Sequence, residues 1–214
     1  MNLKYFYWYF NNIFPEEFID RILKAGLSIK KDIAITGRQS KSGVSRNLKK
    51  QPLTVAEKKE LKKSRDSRVC WLNDSLIYDT ITPYIRVANK KAGWNFQFDW
   101  NEDAQFTVYK KGMHYDWHTD SWESPYPETA PLNYRGKIRK LSSILLLSHP
   151  KDFKGGELEL DFSNGGGVGQ RIITEITHKG GLIVFPSFVR HRVRPVTKGT
   201  RYSMPMWHLG SPWK

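Results

Sequence analysis

The stretch AQFTVYKKGMHYDWHTD, residues 104–120, starts as a β-rich run, breaks at Lys-Lys-Gly, and resumes as a second run in which His-x-Asp occurs twice, at His114/Asp116 and at His118/Asp120. Along a strand, residues two apart point to the same face, so either pair brings an imidazole and a carboxylate to one place. Two histidines and one carboxylate on one face of a metal form the facial triad of non-haem Fe(II) oxygenases, which leaves coordination positions open for co-substrates. A third ligand has to come from elsewhere in the chain, and spacing alone does not decide which His-x-Asp is the ligating one.

The same strand-and-turn grammar continues outward. From about residue 95, FQFDW, AQFTVY, KLSSILLL, GELELDF, RIITEIT, GLIVFP, HRVRPV and RYSMPMWHL are short β-rich runs separated by Gly, Pro, Asn or charged turns. Eight such runs predict a mainly β fold, a double-stranded β-helix or cupin-like jelly roll. NGGGVG, 164–169, lacks the Lys-Ser/Thr of a phosphate loop and lies between strands, so it reads as a hairpin connection. Upstream, YFYWYF reads as a first strand. FPEEFIDRILKAG then predicts a helix with Phe18, Ile19, Ile22 and Leu23 on one face and Gly26 as its stop. A second helix is predicted from Asp74 through Leu76, Ile77, Ile81, Ile85 and Ala88, with Pro83 expected to kink it or restart it after Thr82. The expectation is one domain over 1–214, in which 1–94 gives helical support with a basic mobile loop at about 28–67, and 95–210 forms the jelly roll.

Composition narrows the class. In 214 residues, 14% aromatic content is enough for a packed core. Cys70 is the only cysteine, which excludes an internal disulfide and a cysteine-based zinc site. No apolar run approaches the roughly 20 residues of a membrane span, and no cleavage site follows YFYWYF, so a cytoplasmic protein without membrane association is expected. Net charge is +14, and residues 30–68 carry thirteen Lys or Arg against four Asp or Glu, or +9 of it. That segment attracts anions, yet its scarcity of aromatics argues against a base-stacking platform.

RHRVRPVTKGTRYSMPMW places Arg201 ten residues after His191 and Trp207 six further on, and resembles the C-terminal half of the 2-oxoglutarate/Fe(II) dioxygenase signature. VYKKGMHYDWHTD resembles its first half as written in prolyl 4-hydroxylases and bacterial PKHD-type hydroxylases, KLSSILLLSHPKDFKGGELEL continues it, and SRVCWLND resembles the strand and helix before it. The resemblance covers roughly 67–208. It implies that His118, Asp120 and His191 are the metal ligands, leaving His114 and Asp116 at the strand entrance and His149, His178 and His208 in structural roles. It further implies that Arg201 binds the distal carboxylate of 2-oxoglutarate with help from Tyr109, and that Tyr115 and Trp207 wall the pocket, where packing is an equal reading.

The implied cofactors are Fe(II), 2-oxoglutarate as co-substrate and O2, with ascorbate to recover oxidised iron. The implied reaction is hydroxylation of an unactivated C–H bond, and the branch suggests a prolyl residue of a protein or peptide, over which the loop 36–50 would fold. Competing readings are nucleic-acid demethylation, prompted by the charge, and hydroxylation of an amino acid or small molecule. From another class comes a non-catalytic basic jelly-roll binding module, against which all four key residues are retained.

Overall fold

A computed structural model of the chain describes residues 5–34, 54–121, 124–163 and 169–213. In chain order its elements are β1 (Trp8–Phe10), α1 (Glu16–Ser28), β2 (Asp32–Ile33), α2 (Val55–Ser64), β3 (Arg65–Asp66), β4 (Arg68–Leu72), α3 (Ser75–Lys91), β5 (Trp100–Asn101), β6 (Ala104–Lys110), β7 (His114–His118), β8 (Ile138–Leu146), β9 (Phe153–Gly155), β10 (Leu158–Asp161), β11 (Gln170–Ile172), β12 (Leu182–Pro186), β13 (Arg190–Val193) and β14 (Val196–Gly210). Every pairing is antiparallel. The large sheet runs β1-β12-β8-β14-β6-β4-β2, with β5 and β9 also on β14, and the small sheet runs β11-β10-β13-β7-β3. This is the double-stranded β-helix read from the eight runs.

Period-two alternation assigns the faces. On β12, Leu182 and Val184 join the cluster holding Ile19 and Ile22 of α1 and Ile77, Ile81, Ile85 and Ala88 of α3, whereas Ile183 and Phe185 join Leu158 and Leu160 of the small sheet. Helices therefore back one face of the large sheet and the small sheet covers the other.

Several boundaries differ from the sequence reading. α1 does not stop at Gly26 but passes through it to Ser28, because a Cβ on Gly26 would lie 2.1 Å from Phe106 Cδ2. Glycine there lets the helix lie against β6. α3 starts after Asp74, whose side chain accepts from the Leu76 N–H, and runs unbroken through Pro83. Ile77 and Ile81 before the proline and Ile85 and Ala88 after it are all buried, so packing outweighs the one missing N–H.

The region expected to be a loop over 28–67 contains β2, α2 and β3. α2 opens with a capping box: Glu57 N–H donates to Thr54 Oγ1 (3.2 Å) while Thr54 N–H donates to Glu57 Oε2 (2.9 Å). The part read as 36–50 lies outside the described residues, as do 164–168 of the glycine-rich connection. FQFDW supplies buried Phe96 and Phe98 rather than a strand, and β5 begins only at Trp100. YFYWYF pairs with β12 over Trp8–Phe10 alone.

Candidate metal centre

His118, the last residue of β7, is the direct cross-strand partner of His191 in β13. The next pair is Val193 with Tyr115, so one β13 residue, Arg192, faces two on β7, Asp116 and Trp117. This bulge turns Tyr115 and His118, three residues apart, to the same face, and leaves the Trp117 ring near the guanidinium groups of Arg190 (5.2 Å) and Arg192 (4.7 Å). The first His-x-Asp is thereby removed from the site. His114 Nε2 lies 3.3 Å from the Lys63 carbonyl, and exposed Asp116 accepts from the Trp117 N–H (2.8 Å).

Asp120 lies past the end of β7 and donates its backbone N–H to the Ser187 carbonyl (2.9 Å). Its Oδ1 is 3.8 Å from His118 Nε2 and its Oδ2 is 3.4 Å from His191 Nε2. One candidate ligand atom from each of the three residues lies within 4.8 Å of the others, the only such cluster among the described residues.

Protonation suits a divalent cation. His118 Nδ1 donates to the Asp116 carbonyl (2.8 Å) and His191 Nδ1 to the Val189 carbonyl (3.0 Å), which turns both Nε2 atoms toward Asp120. Burial, helped by the neighbouring His191, holds the His118 imidazole well below its usual pKa, so its Nε2 keeps a lone pair. Burial would raise Asp120, but the facing imidazoles, the Arg139 guanidinium and the Ser142 hydroxyl together hold it at about 2. Two imidazole nitrogens and a carboxylate converging from one side match an Fe(II) facial triad.

Arg201 on β14 pairs with Tyr109 on β6, its guanidinium 5.6 Å from that ring, and Tyr109 packs in one cluster with Val193 and Tyr115. Arg201 is only 5% exposed, and burial pushes its pKa down. Nη1 donates to Ser203 Oγ (2.7 Å), and no carboxylate pairs with it among the described residues. Gly156, at φ +69°, makes room for it, since a Cβ there would lie 3.0 Å from Arg201 Cδ. A buried guanidinium with free donors matches a carboxylate ligand in charge and shape. Tyr115 stacks on His118, with ring centroids 3.5 Å apart. Trp207 is buried beneath Arg139 (3.9 Å) and beside Trp71 (6.1 Å).

Three features escaped the sequence reading. Arg65, hidden in the lysine-rich segment, is 6% exposed, lies 4.4 Å over Tyr115, and donates to Ser67 Oγ (3.0 Å) and Gln105 Oε1 (2.7 Å). Nothing in the charge run marks it as the member that turns inward. Arg139 makes two 2.6 Å bonds to Glu102; burial alone would lower its pKa, but the Glu102 carboxylate outweighs it and leaves the pKa raised. Ser142 and Ser187 lie behind Asp120. The remaining histidines take structural positions: His208 is fully buried, His149 accepts from the Lys151 N–H, and His178 contacts Thr177.

The description "2OG-Fe(II) oxygenase superfamily" matches residues 104–209, which include all four strand and loop residues just described. A PKHD-type hydroxylase of Synechococcus sp. (strain JA-2-3B'a(2-13)) is 36% identical over 105 residues, 47% of this chain and 40% of that protein, so the match spans about two fifths of the relative's length. A collagen prolyl hydroxylase of Paramecium Bursaria Chlorella virus-1, solved as a 2OG complex, superposes with TM-score 0.61 at 18% identity over 96% of this chain and 97% of its own. A Trichoplax adhaerens prolyl hydroxylase, solved with a hypoxia inducible factor peptide fragment, gives TM-score 0.65 at 17% identity over 95% and 83%. At such identities these structures establish the shared fold. With the His-Asp-His cluster inside the matched stretch on one jelly roll, residues 104–209 match the 2OG-Fe(II) oxygenase superfamily, and PKHD-type hydroxylases are among the relatives this chain resembles.

Proposed function

We propose that this chain is a 2-oxoglutarate- and Fe(II)-dependent dioxygenase that hydroxylates a C–H bond of a prolyl residue in a protein or peptide. The observation that carries the reading is the convergence of His118, Asp120 and His191, with Tyr115 stacked on His118 and packed in one cluster with Tyr109, the cross-strand neighbour of the buried Arg201. In this reading the three residues hold Fe(II). Bound there with 2-oxoglutarate and O2, iron supplies the oxidising power for hydroxylation, with succinate and carbon dioxide as by-products.

The chain's own residues do the rest. Arg201 grips the distal carboxylate of 2-oxoglutarate as a planar, bidentate donor, and the hydroxyl of its cross-strand neighbour Tyr109 adds a further bond. Tyr115 and Trp207 wall the pocket and keep water from it. Arg65, which donates to the neutral oxygens of Ser67 and Gln105, adds a cation beside Tyr115. A peptide substrate is supported by the fold shared with prolyl hydroxylases, one of them solved with a peptide.

The test is succinate release from 2-oxoglutarate with Fe(II), ascorbate and O2, comparing wild type with Asp120→Ala in the presence of proline-containing peptides and, separately, methylated oligonucleotides. Peptide-stimulated turnover that depends on Asp120, with one oxygen added to proline by mass spectrometry, is the expected result. Stimulation by oligonucleotides alone would replace proline with a nucleic-acid substrate, and absence of stoichiometric Fe(II) binding would leave a basic binding module.

A further inference from the structure

Asp120 stands outside any strand, and its side chain needs holding. Its Oδ2 lies 2.7 Å from Ser142 Oγ, which lies 2.9 Å from Ser187 Oγ. A carboxylate oxygen only accepts, so the single Ser142 proton goes to Asp120 and Ser187 donates in turn to Ser142. Both serines are fully enclosed, at 1% and 0% exposure. Ser142 is on β8 opposite Trp207, and Ser187 follows β12. Ser187 also binds the Asp120 backbone, its carbonyl accepting the Asp120 and Ser121 N–H groups at 2.9 Å each. Two fully enclosed hydroxyls aligned in series behind one carboxylate cost desolvation that a purely packing role does not require.

We infer that Ser142, oriented by Ser187, is a positioning residue that fixes the Asp120 carboxylate for iron. With one lone pair of Oδ2 committed to Ser142, the carboxylate offers a single oxygen to the metal instead of chelating it, which keeps coordination positions free for co-substrates. Ser142 touches neither metal nor substrate and acts through Asp120. The inference rests on the metal-centre reading above.

Co(II) binding to the metal-free full chain, followed by calorimetry and visible absorption, tests it without turnover. Ser142→Ala is expected to weaken Co(II) by roughly 10–100-fold and to change the absorption bands that report coordination. Ser142→Thr, which keeps the hydroxyl, should recover most of the affinity. Ser187→Ala should weaken binding by less, and the double alanine variant should be no worse than Ser142→Ala alone, because the Ser187 hydroxyl acts only through Ser142 while its carbonyl is kept in alanine. Melting of the metal-free forms separates lost folding from lost ligand positioning; if Ser142→Ala does not fold, Ser187→Ala carries the test through its spectrum. Wild-type affinity and spectrum in Ser142→Ala, or in Ser187→Ala where that variant carries the test, would overturn the positioning role while leaving the metal centre intact. Additive losses in the double variant would overturn the series arrangement. No Co(II) binding by wild type would overturn the metal-centre reading itself.

Discussion

At the scale of single residues, two predictions separate groups that look equivalent in the sequence. His114 and His118 each precede an aspartate by two, but only His118 faces His191. His118→Ala should abolish tight Co(II) or Fe(II) binding in calorimetry, whereas His114→Ala should leave it within about twofold; the reverse result would sink the ligand assignment. Arg201→Lys keeps the charge and loses the fork. If Arg201 binds the distal carboxylate, the substitution should raise the KM for 2-oxoglutarate by roughly 10–100-fold, the scale of one charge-assisted pair, with metal affinity unchanged. An unaltered KM would leave Arg201 a buried structural cation. Which His-x-Asp lies with His191 was legible only through resemblance to a known motif. Simple alternation could not find it, because the bulge at Asp116–Trp117 breaks the two-residue period between Tyr115 and His118, and because Asp120 is placed by Ser187 and Ser142 rather than by a strand. Arg65 was illegible for a different reason: a charge run gives no sign of which member turns inward.

At the scale of elements, the informative residues are those that contradict local propensity. Gly26 looks like a helix stop, yet α1 passes through it because a side chain there would collide with Phe106. Gly26→Ala should therefore destabilise the protein despite alanine's better helix propensity, by about 1–3 kcal/mol or more for overpacking against a buried ring. Urea denaturation of the two forms measures it, and a stabilised alanine variant would show that α1 does not lie tightly on β6. α2 illustrates the opposite case. Thr54-Val-Ala-Glu57 spells a capping box, but a helix with only Leu61 buried carries little hydrophobic pattern, and its lysines read as a solvated loop. Thr54→Ala removes a cap worth about 1 kcal/mol. Amide exchange should speed up within α2 and leave the sheets unaffected, since the cap touches neither. Strand runs were legible as a class because β-branched and aromatic residues between turn residues are a local signal, while their ends were not. FQFDW has the composition of a strand and spends it on core contacts of Phe96 and Phe98.

At the scale of the whole molecule, the architecture followed from counting runs, and the chemistry from a motif spread over 104–209, but neither reveals which polar groups the core buries. His208 is such a group. It is fully enclosed on β14, with Nδ1 donating to Asn101 Oδ1 (2.7 Å) and Nε2 accepting from Ser143 Oγ (3.0 Å). Asn101 Nδ2 in turn donates to Thr82 Oγ1 of α3 (3.2 Å), so the chain of bonds links the large sheet to its supporting helix. Burial first, and then Arg86, push the His208 pKa down from 6.5 to about 3. The sign of the consequence follows from linkage: the folded state refuses a proton that the unfolded state accepts, so stability is full above pH 6.5 and falls as the pH drops toward 3. At pH 4.5, two units into that window, the loss from this one side chain should be about 2–3 kcal/mol. His208→Gln keeps hydrogen-bonding capacity but cannot titrate. Its unfolding free energy, measured by urea denaturation, should be lower than wild type at pH 7.5 and fall less steeply between pH 6.5 and 4.5. His118 and Asp120 titrate alike in both forms, so the difference between the two curves isolates His208. Parallel curves would mean that His208 takes up its proton in the folded state, and that the Asn101–His208–Ser143 bonds are not what locks the imidazole neutral.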